Sequence, residues 1–196
     1  MGKKDNIWLG FGYGEWGGDL LAFSTVEKKF VNLRQYNPHI DVSPVKSIFE
    51  GNGLVYVSCG LMHFSTSGEI IQFEELKSKT IFESSEHKMH TLDNRRDTFI
   101  AGEYVGPSTY NAMDNCIYMY TQYGVFKGSI GKDLSKIEYW SPVFNPKLHW
   151  SDGQPDAVGS PMNILKLIFI EPNKLLFVSQ NDGIGLYDDE LLIMMR

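Results

Sequence analysis

The chain has 196 residues, a formal net charge of −6, 42% hydrophobic residues and 21% charged residues. This share of apolar residues excludes an intrinsically disordered chain, and a chain of this length can form a core without disulfide bonds. The acidic balance disfavours binding to a nucleic-acid backbone, which needs clustered Lys and Arg, and no apolar run of about 18 residues predicts a membrane span.

Four segments of the chain begin alike. Each places Asn or Asp in a turn two positions before an aliphatic residue, and an apolar strand, here called strand b, follows. A turn and strand c come next, and a second turn and strand d close the unit. In three units a further apolar strand, strand a, precedes strand b. The predicted units span 5–33, 45–77, 97–141 and 163–196 of a single domain, 1–196.

The predicted strands follow one another as antiparallel meanders. The first unit has strands b, c and d at 7–11, 20–24 and 29–33. The later units have four strands each, at 45–49, 54–57, 61–65 and 69–73; at 98–102, 117–120, 125–129 and 136–140; and at 165–170, 175–178, 184–188 and 191–195. The continuous apolar character of the b strands predicts burial on both of their faces.

Strands covered on both faces are typical of the inner strands of propeller blades. The phrase Ile7-Trp8-Leu9-Gly10, followed by Gly14-Glu15-Trp16-Gly17-Gly18, is similar to bacterial β-propeller repeats of the sensor-type and uncharacterised kinds, although the Trp-Asp dipeptide of WD40 repeats is absent. The resemblance implies an all-β, propeller-like array of about four antiparallel four-stranded meander blades. A barrel or sandwich of short strands is the alternative.

The strand count leaves the first unit without strand a. The ring is therefore predicted to be small with one three-stranded blade, to be incomplete as part of a larger propeller, or to be completed by a second copy of the chain. An apolar edge such as 191–195 would pair with another chain. We therefore expect that the chain does not stand as a closed, solitary monomer.

The longer predicted loops gather at one end of the array. In a meander the b–c turns and the d–a connections leave the sheet at the same end, which collects 12–19, 34–44, 74–97 and 141–163, with four of the five histidines. Loops on a rigid scaffold are where binding usually occurs. The candidate binding residues on these loops are Glu15, Trp16, Asp19, His87, His90, Arg95, Arg96, His149, Trp150 and Asp152.

Each motif has a structural interpretation beside the functional one. Trp16 caps the core of its blade or stacks on a ligand, and capping is favoured. His87 and His90 have metal-ligand spacing only in a helix, so a solvated loop is favoured and no metal is predicted. The segment 149–156 places His149 near Asp152, but no Gly-x-Ser-x-Gly elbow occurs, and an ordered loop is favoured. Arg95 and Arg96 would suit an anion or an acidic partner surface, although neighbouring Asp residues weaken that signal.

The absence of a convergent acid, base or nucleophile set favours a non-enzymatic protein-binding module, of adaptor or immunity type, without a cofactor. The alternatives are a hydrolase or lyase acting on a sugar or lactone at the same loops, and a structural fragment of a larger propeller. Cys59 and Cys116 are predicted to be small buried hydrophobic residues. Free cysteines, no secretory signal and no Asn-x-Ser/Thr sequon predict a cytoplasmic location.

Overall fold

A computed structural model describes residues 6–62, 66–84, 87–90, 98–148 and 164–195, with the backbone alone at 87–90 and 98–101. These residues contain seventeen β-strands and three 3-10 helices of three residues each, and no α-helix among the described ranges. The prediction of an all-β chain is confirmed.

The strands form four sheets. Sheet 1 contains β1 Asn6–Gly12, β2 Gly18–Ser24 and β3 Lys29–Val31. Sheet 2 contains β4 Val45–Gly51, β5 Leu54–Met62, β6 Thr66–Glu74 and β7 Lys77–Glu83, with the hairpin of β8 His87–His90 and β9 Thr98–Ala101 joined to β6 by one parallel pair. Sheet 3 contains β10 Ser108–Asn111, β11 Cys116–Thr121, β12 Gly124–Ser129 and β13 Ser141–Phe144. Sheet 4 contains β14 Ile164–Glu171, β15 Lys174–Ser179, β16 Ile184–Asp188 and β17 Leu191–Met195.

Successive sheets pack face to face through three hydrophobic clusters. Trp8 and Ala22 of sheet 1 meet Val57 and Phe73 of sheet 2, and the Trp8 and Phe73 ring centroids lie 4.7 Å apart. The second cluster joins sheets 2 and 3, and the third joins sheets 3 and 4. Alternate residues of a strand point to opposite faces, so β5 and β11 each supply two of these clusters. The b strands of sheets 2 and 3 are buried on both faces, as the sequence predicts.

The first strands of sheets 2, 3 and 4 lie side by side and run parallel. The Ser47 hydroxyl on β4 donates to the Ser108 carbonyl on β10 at 3.0 Å, and the Asn111 amide at the end of β10 donates to the Pro172 carbonyl just beyond β14 at 2.8 Å. No cluster joins sheet 1 to sheet 4 within the described ranges, and no sheet closes on itself. The described residues therefore form four stacked antiparallel sheets, and these sheets do not close into a ring.

The two ends of the stack differ. We call the end where β4, β10 and β14 begin the loop end, and it carries 13–17, 42–44, 102–107, 122–123, 145–148 and 180–183. The opposite turn end carries 25–28, 52–53, 75–76, 112–115, 130–140, 172–173 and 189–190. Gly12 lies against Pro44 and Gly10 against Ile48, so β1 runs antiparallel to β4, as a b strand does. This direction places the Trp16 turn at the loop end.

Several predicted elements are wrong. In sheet 2 the strands predicted at 61–65 and 69–73 are replaced by β6 and β7, and the predicted loop 74–97 contains β7 and the turn-end residues 75–76. Cys59 and Gly60 do not form a turn, because β5 continues through them and Gly60 packs against the backbone of Val105. The strand predicted at 98–102 belongs to the hairpin beside β6, and sheet 3 instead begins with 108–111, a short polar segment held by Ser47. The strand predicted at 136–140 contains a 3-10 helix, and 141–144 form the fourth strand of that sheet.

Candidate functional site

A hydrogen-bonded turn presents Trp16 to solvent at the loop end. The Tyr13 amide donates to the Gly17 carbonyl at 2.8 Å, and the Gly18 amide donates to the Val42 carbonyl at 3.0 Å. Gly14 and Gly17 have φ values of 64° and 89°, which glycine adopts without a steric penalty. The Trp16 side chain is 82% exposed. The favoured interpretation of Trp16 as a cap on the core is therefore wrong, because the indole contacts solvent rather than the core.

A cleft of about 230 Å³ lies beside this turn. It opens between β2, the end of β3 and the segment 40–42. Its charged residues are Asp19, Arg34 and Asp41, and Leu20, Ile40 and Val42 supply apolar walls. The Asp19 carboxylate accepts a hydrogen bond from the Leu20 amide at 2.8 Å. The cleft is smaller than the roughly 300–1,000 Å³ of typical ligand pockets, so its size suits one protruding side chain of a partner.

The cleft exists because the chain leaves sheet 1 after β3 and returns. Asn37 anchors the excursion on sheet 2, where its amide donates to the Leu76 carbonyl at 2.8 Å and its oxygen accepts from the Ser78 amide at 2.7 Å. The chain then returns to the edge of β2, where Val42 accepts from Gly18. The gap between the end of β3 and the returning segment is the cleft. The prediction that 34–44 lies wholly at the loop end is wrong for the same reason.

Backbone hydrogen bonds tie loop-end segments to the neighbouring sheet. The Gly18 amide of sheet 1 donates to the Val42 carbonyl ahead of β4 at 3.0 Å, and the Gly102 amide ahead of β10 donates to the Thr66 carbonyl of β6 at 2.8 Å. The Gly60 amide of β5 donates to the Pro44 carbonyl at 3.0 Å. Gln122 accepts from the Tyr104 amide at 2.7 Å and donates to the Gly102 carbonyl at 2.9 Å. The loop end is therefore a cross-linked surface rather than a set of independent loops.

Two half-buried charged groups lie beneath this surface. Burial raises the pKa of the Glu69 carboxyl, the negative charges of Glu83 and Asp41 raise it further, and a hydrogen bond from the Ser43 amide acts against them. Burial lowers the pKa of Lys46, whose ammonium lies 5.7 Å from the centre of the Tyr104 ring. Burial also raises the pKa of the Cys59 thiol, so this buried cysteine stays protonated at neutral pH.

Replacing Glu69 by Gln is expected to raise the free energy of unfolding at pH 7 relative to the parent. A carboxyl with a raised pKa in the folded state keeps its proton after the unfolded chain has lost it, so folded stability falls as pH rises through that interval. The glutamine side chain of the variant has no charge to lose, and its amide oxygen still accepts from Ser43. Urea unfolding at pH 3.5 and pH 7 measures the effect, which should vanish at the lower pH. Glu74→Gln, an exposed change in the same strand, is the control. A variant less stable than the parent at pH 7 would contradict the assignment.

The structure brings three of the predicted binding residues together. Glu15, Trp16 and Asp19 lie on or beside the 13–17 turn. His87 and His90 fall in β8, so the helical turn that would give them metal-ligand spacing is not formed. Five predicted residues lie outside the described residues: Arg95, Arg96, His149, Trp150 and Asp152. No group of three His, Cys, Asp or Glu residues suited to a metal ion occurs in the described part of the chain.

Sequence reasoning missed Arg34, Ile40 and Asp41 as members of the site. Only the return of the chain to β2 brings these residues to Asp19, and the sequence between β3 and β4 carries no pattern for that return. The nearest available signal was Asn32, whose side chain caps the 3-10 helix Leu33–Gln35 and so marks the point where β3 stops.

Comparison with known proteins identifies the fold alone. No family model matches the chain. No curated protein matches it either. The chain aligns with two solved structures of the extracellular domain of BT4673 from B. thetaiotaomicron, each with a TM-score of 0.56 and 14% sequence identity. One structure names BT4673 as a hybrid two-component system, and the other names it as a one-component system. The alignments cover 98% and 99% of this chain and 21% of each of those chains, so the chain spans about a fifth of their length.

The predicted cytoplasmic location is contradicted by these neighbours, because both are extracellular domains. The prediction relied on free cysteines and on missing sequence signals. Cys59 and Cys116 are both buried and free, and a buried thiol is protected in an oxidising compartment as well as in a reducing one. Among the described residues there is no helix of the length and apolarity that crossing a bilayer requires.

Proposed function

We propose that the chain is a propeller-like array that acts as a non-enzymatic protein-binding module, with Trp16 as the anchor of its binding surface. The observation that most supports this proposal is that Trp16 is 82% exposed on a hydrogen-bonded turn. Tryptophan dominates the energetics of many interfaces, and a turn that is already ordered loses little conformational entropy on binding. The adjacent cleft, with Asp19, Arg34 and Asp41, supplies charged groups for a partner side chain.

The structural similarity to an extracellular domain supports an extracellular location for this module. In BT4673 the matching region belongs to the extracellular domain of a protein named as a hybrid two-component system or a one-component system. We infer that the module belongs to the outward-facing part of a protein of that class, where its loop end recognises another protein. The face-to-face packing of four meander sheets, with parallel first strands in sheets 2, 3 and 4, supports the propeller-like arrangement.

Site-specific photo-crosslinking in the cells that make the chain tests the binding surface. In one variant a photoreactive amino acid replaces Tyr13, in the same loop-end turn as Trp16. In a second variant it replaces Met113 at the turn end. Both positions are exposed. We expect Tyr13 to give an adduct with a partner protein and Met113 to give none. Trp16→Ala should weaken the partner's affinity about 30-fold, the value for an interface anchor of about 2 kcal/mol, and lower the Tyr13 adduct accordingly.

Val26→Ala is the matched control, because Val26 is an exposed apolar residue of sheet 1 at the turn end. It should leave the Tyr13 adduct unchanged. Equal adduct yields from Tyr13 and Met113, or a Tyr13 adduct indifferent to Trp16→Ala, would overturn the assignment of the surface.

A further inference from the structure

The cleft beside the Trp16 turn combines an apolar lining with exposed charged groups. The hydrophobic cluster between sheets 1 and 2 supplies the apolar walls, which are Leu20, Ile40 and Val42. Because these side chains pack in or against the core, their positions are fixed before anything binds. The charged residues of the lining are all exposed, and they are Asp19, Arg34 and Asp41. A side chain that enters the cleft therefore meets apolar and charged groups within one small space.

Negative charge predominates around the cleft. Two of its three charged residues are carboxylates, and among the residues that the structure describes no ion pair joins Arg34 to Asp19 or Asp41. Burial raises the pKa of the Glu69 carboxyl beneath this surface, and the negative charges of Glu83 and Asp41 raise it further. The surroundings of the cleft therefore favour a cation over an anion.

Lys and Arg are the side chains whose chemistry matches such a cleft. Each has an aliphatic stem that packs on apolar surface and a cationic head that reaches polar groups. The stem would lie along the apolar walls, and the head would donate charge-assisted hydrogen bonds to Asp19 and Asp41. A volume of about 230 Å³ admits one such side chain. An acidic side chain would meet two like charges, and an apolar side chain would leave both carboxylates without a cation.

We propose that the cleft binds one basic side chain, from Lys or Arg, of the protein that occupies the loop end. This inference rests on the proposed function and adds the chemistry of the partner to it. Gly18 lines the cleft and directly follows the 13–17 turn, so the cleft and Trp16 belong to one continuous surface. The charge of Arg34 repels a basic side chain, so the affinity is lower than the two carboxylates alone would give.

Titration with blocked single amino acids tests the cleft without the partner. The probes are the N-acetyl methylamides of arginine, lysine, norleucine and glutamate, and the backbone amide resonances of the chain report where each probe binds. At least one basic probe is expected to shift the amides of Leu20, Arg34 and Val42, with a Kd of roughly 1 mM for a ligand of so few atoms. The norleucine probe has the stem without the charge, so it should bind about fivefold more weakly. The glutamate probe should shift none of these amides.

Neutral variants of unchanged shape identify the groups that hold the cation. Asp19→Asn and Asp41→Asn should each weaken the binding of the basic probe about threefold to fivefold, because each removes one carboxylate charge. Arg34→Gln should act in the opposite direction and tighten it about twofold. Glu138→Gln is the matched control, because it removes one negative charge at an exposed turn-end position and should leave the binding unchanged. The same spectra show that each variant is folded, and either Asp variant alone suffices for the comparison.

Three results would overturn the proposal. In the first, the norleucine probe binds as tightly as the basic probes, which would show that the apolar walls alone hold the probe. In the second, neither basic probe shifts the amides of the cleft. In the third, Asp19→Asn and Asp41→Asn bind the basic probe as tightly as Glu138→Gln does.

Crosslinking from Tyr13 separates this proposal from the proposed function. A chain that gives the Tyr13 adduct but does not bind the basic probes would lose the assignment of the cleft and keep the proposed function. A chain that binds the basic probes but gives no Tyr13 adduct would overturn the proposed function, and with it the partner protein as the source of the basic side chain.

Discussion

Replacing Trp140 by Ala is expected to lower the free energy of unfolding by about 3–5 kcal/mol, the usual cost of removing a large buried aromatic side chain. Trp140 is buried between sheets 2 and 3, its indole N–H donates to the Leu134 carbonyl at 3.0 Å, and its ring meets that of Phe82 edge to face at 5.8 Å. Deletion leaves a cavity and an unpaired buried carbonyl. In a chain of this length the thermal midpoint should fall by about 10 °C.

Tyr139→Ala is the matched control for this prediction. Tyr139 is the last residue of the 3-10 helix 137–139, directly precedes Trp140 and is exposed. Its removal should change the free energy of unfolding by about 0.5 kcal/mol or less, as expected for a surface position. Denaturant unfolding of the parent and both variants measures the difference. A Trp140→Ala variant within about 1 kcal/mol of the parent would show that the contact between sheets 2 and 3 does not depend on this ring.

Replacing Gly60 by Ala is expected to destabilise the chain by about 1–3 kcal/mol and to displace the segment 102–107. Gly60 pairs with Gly68 across β5 and β6, and the backbone of Val105 lies against both glycines. A methyl group at position 60 would meet backbone atoms of Val105, which cannot rotate away as a side chain can. The segment must therefore lift from the sheet, and the contacts of Tyr104 with Gln122 should weaken with it.

Gly12→Ala is the control for Gly60→Ala, because the nearest atom to a methyl group at position 12 is the Pro44 Cβ at 3.1 Å, at the edge of the same stack. This variant should cost less than about 1 kcal/mol. Hydrogen exchange of the Gly106 amide, which donates to the Tyr120 carbonyl at 2.8 Å, reports on the segment directly. Exchange should accelerate in Gly60→Ala and not in Gly12→Ala. If exchange of this amide is unchanged in both variants, Gly60→Ala does not displace the segment 102–107, and that part of the prediction is wrong.

The amino-acid sequence by itself determined the all-β class, the repeated meander and the burial of the b strands. These features depend on local rules: Asn52 and Asn115 adopt positive φ in the turns that precede β5 and β11, and the apolar residues that follow fit strands covered on both faces. The exposed, glycine-rich turn at Trp16 was also visible as a candidate, because its glycines and its indole are adjacent in the chain.

The tertiary structure alone decided three further features. β10 is a short polar strand that exists because Ser47 of β4 bonds to Ser108, a contact across 61 residues that no local pattern encodes. The cleft forms because Asn37 draws the chain to sheet 2 before it returns to β2. Whether an apolar sheet face is core or surface depends on the neighbour that covers it, so the same alternation buries Tyr56 and leaves Ile168 exposed.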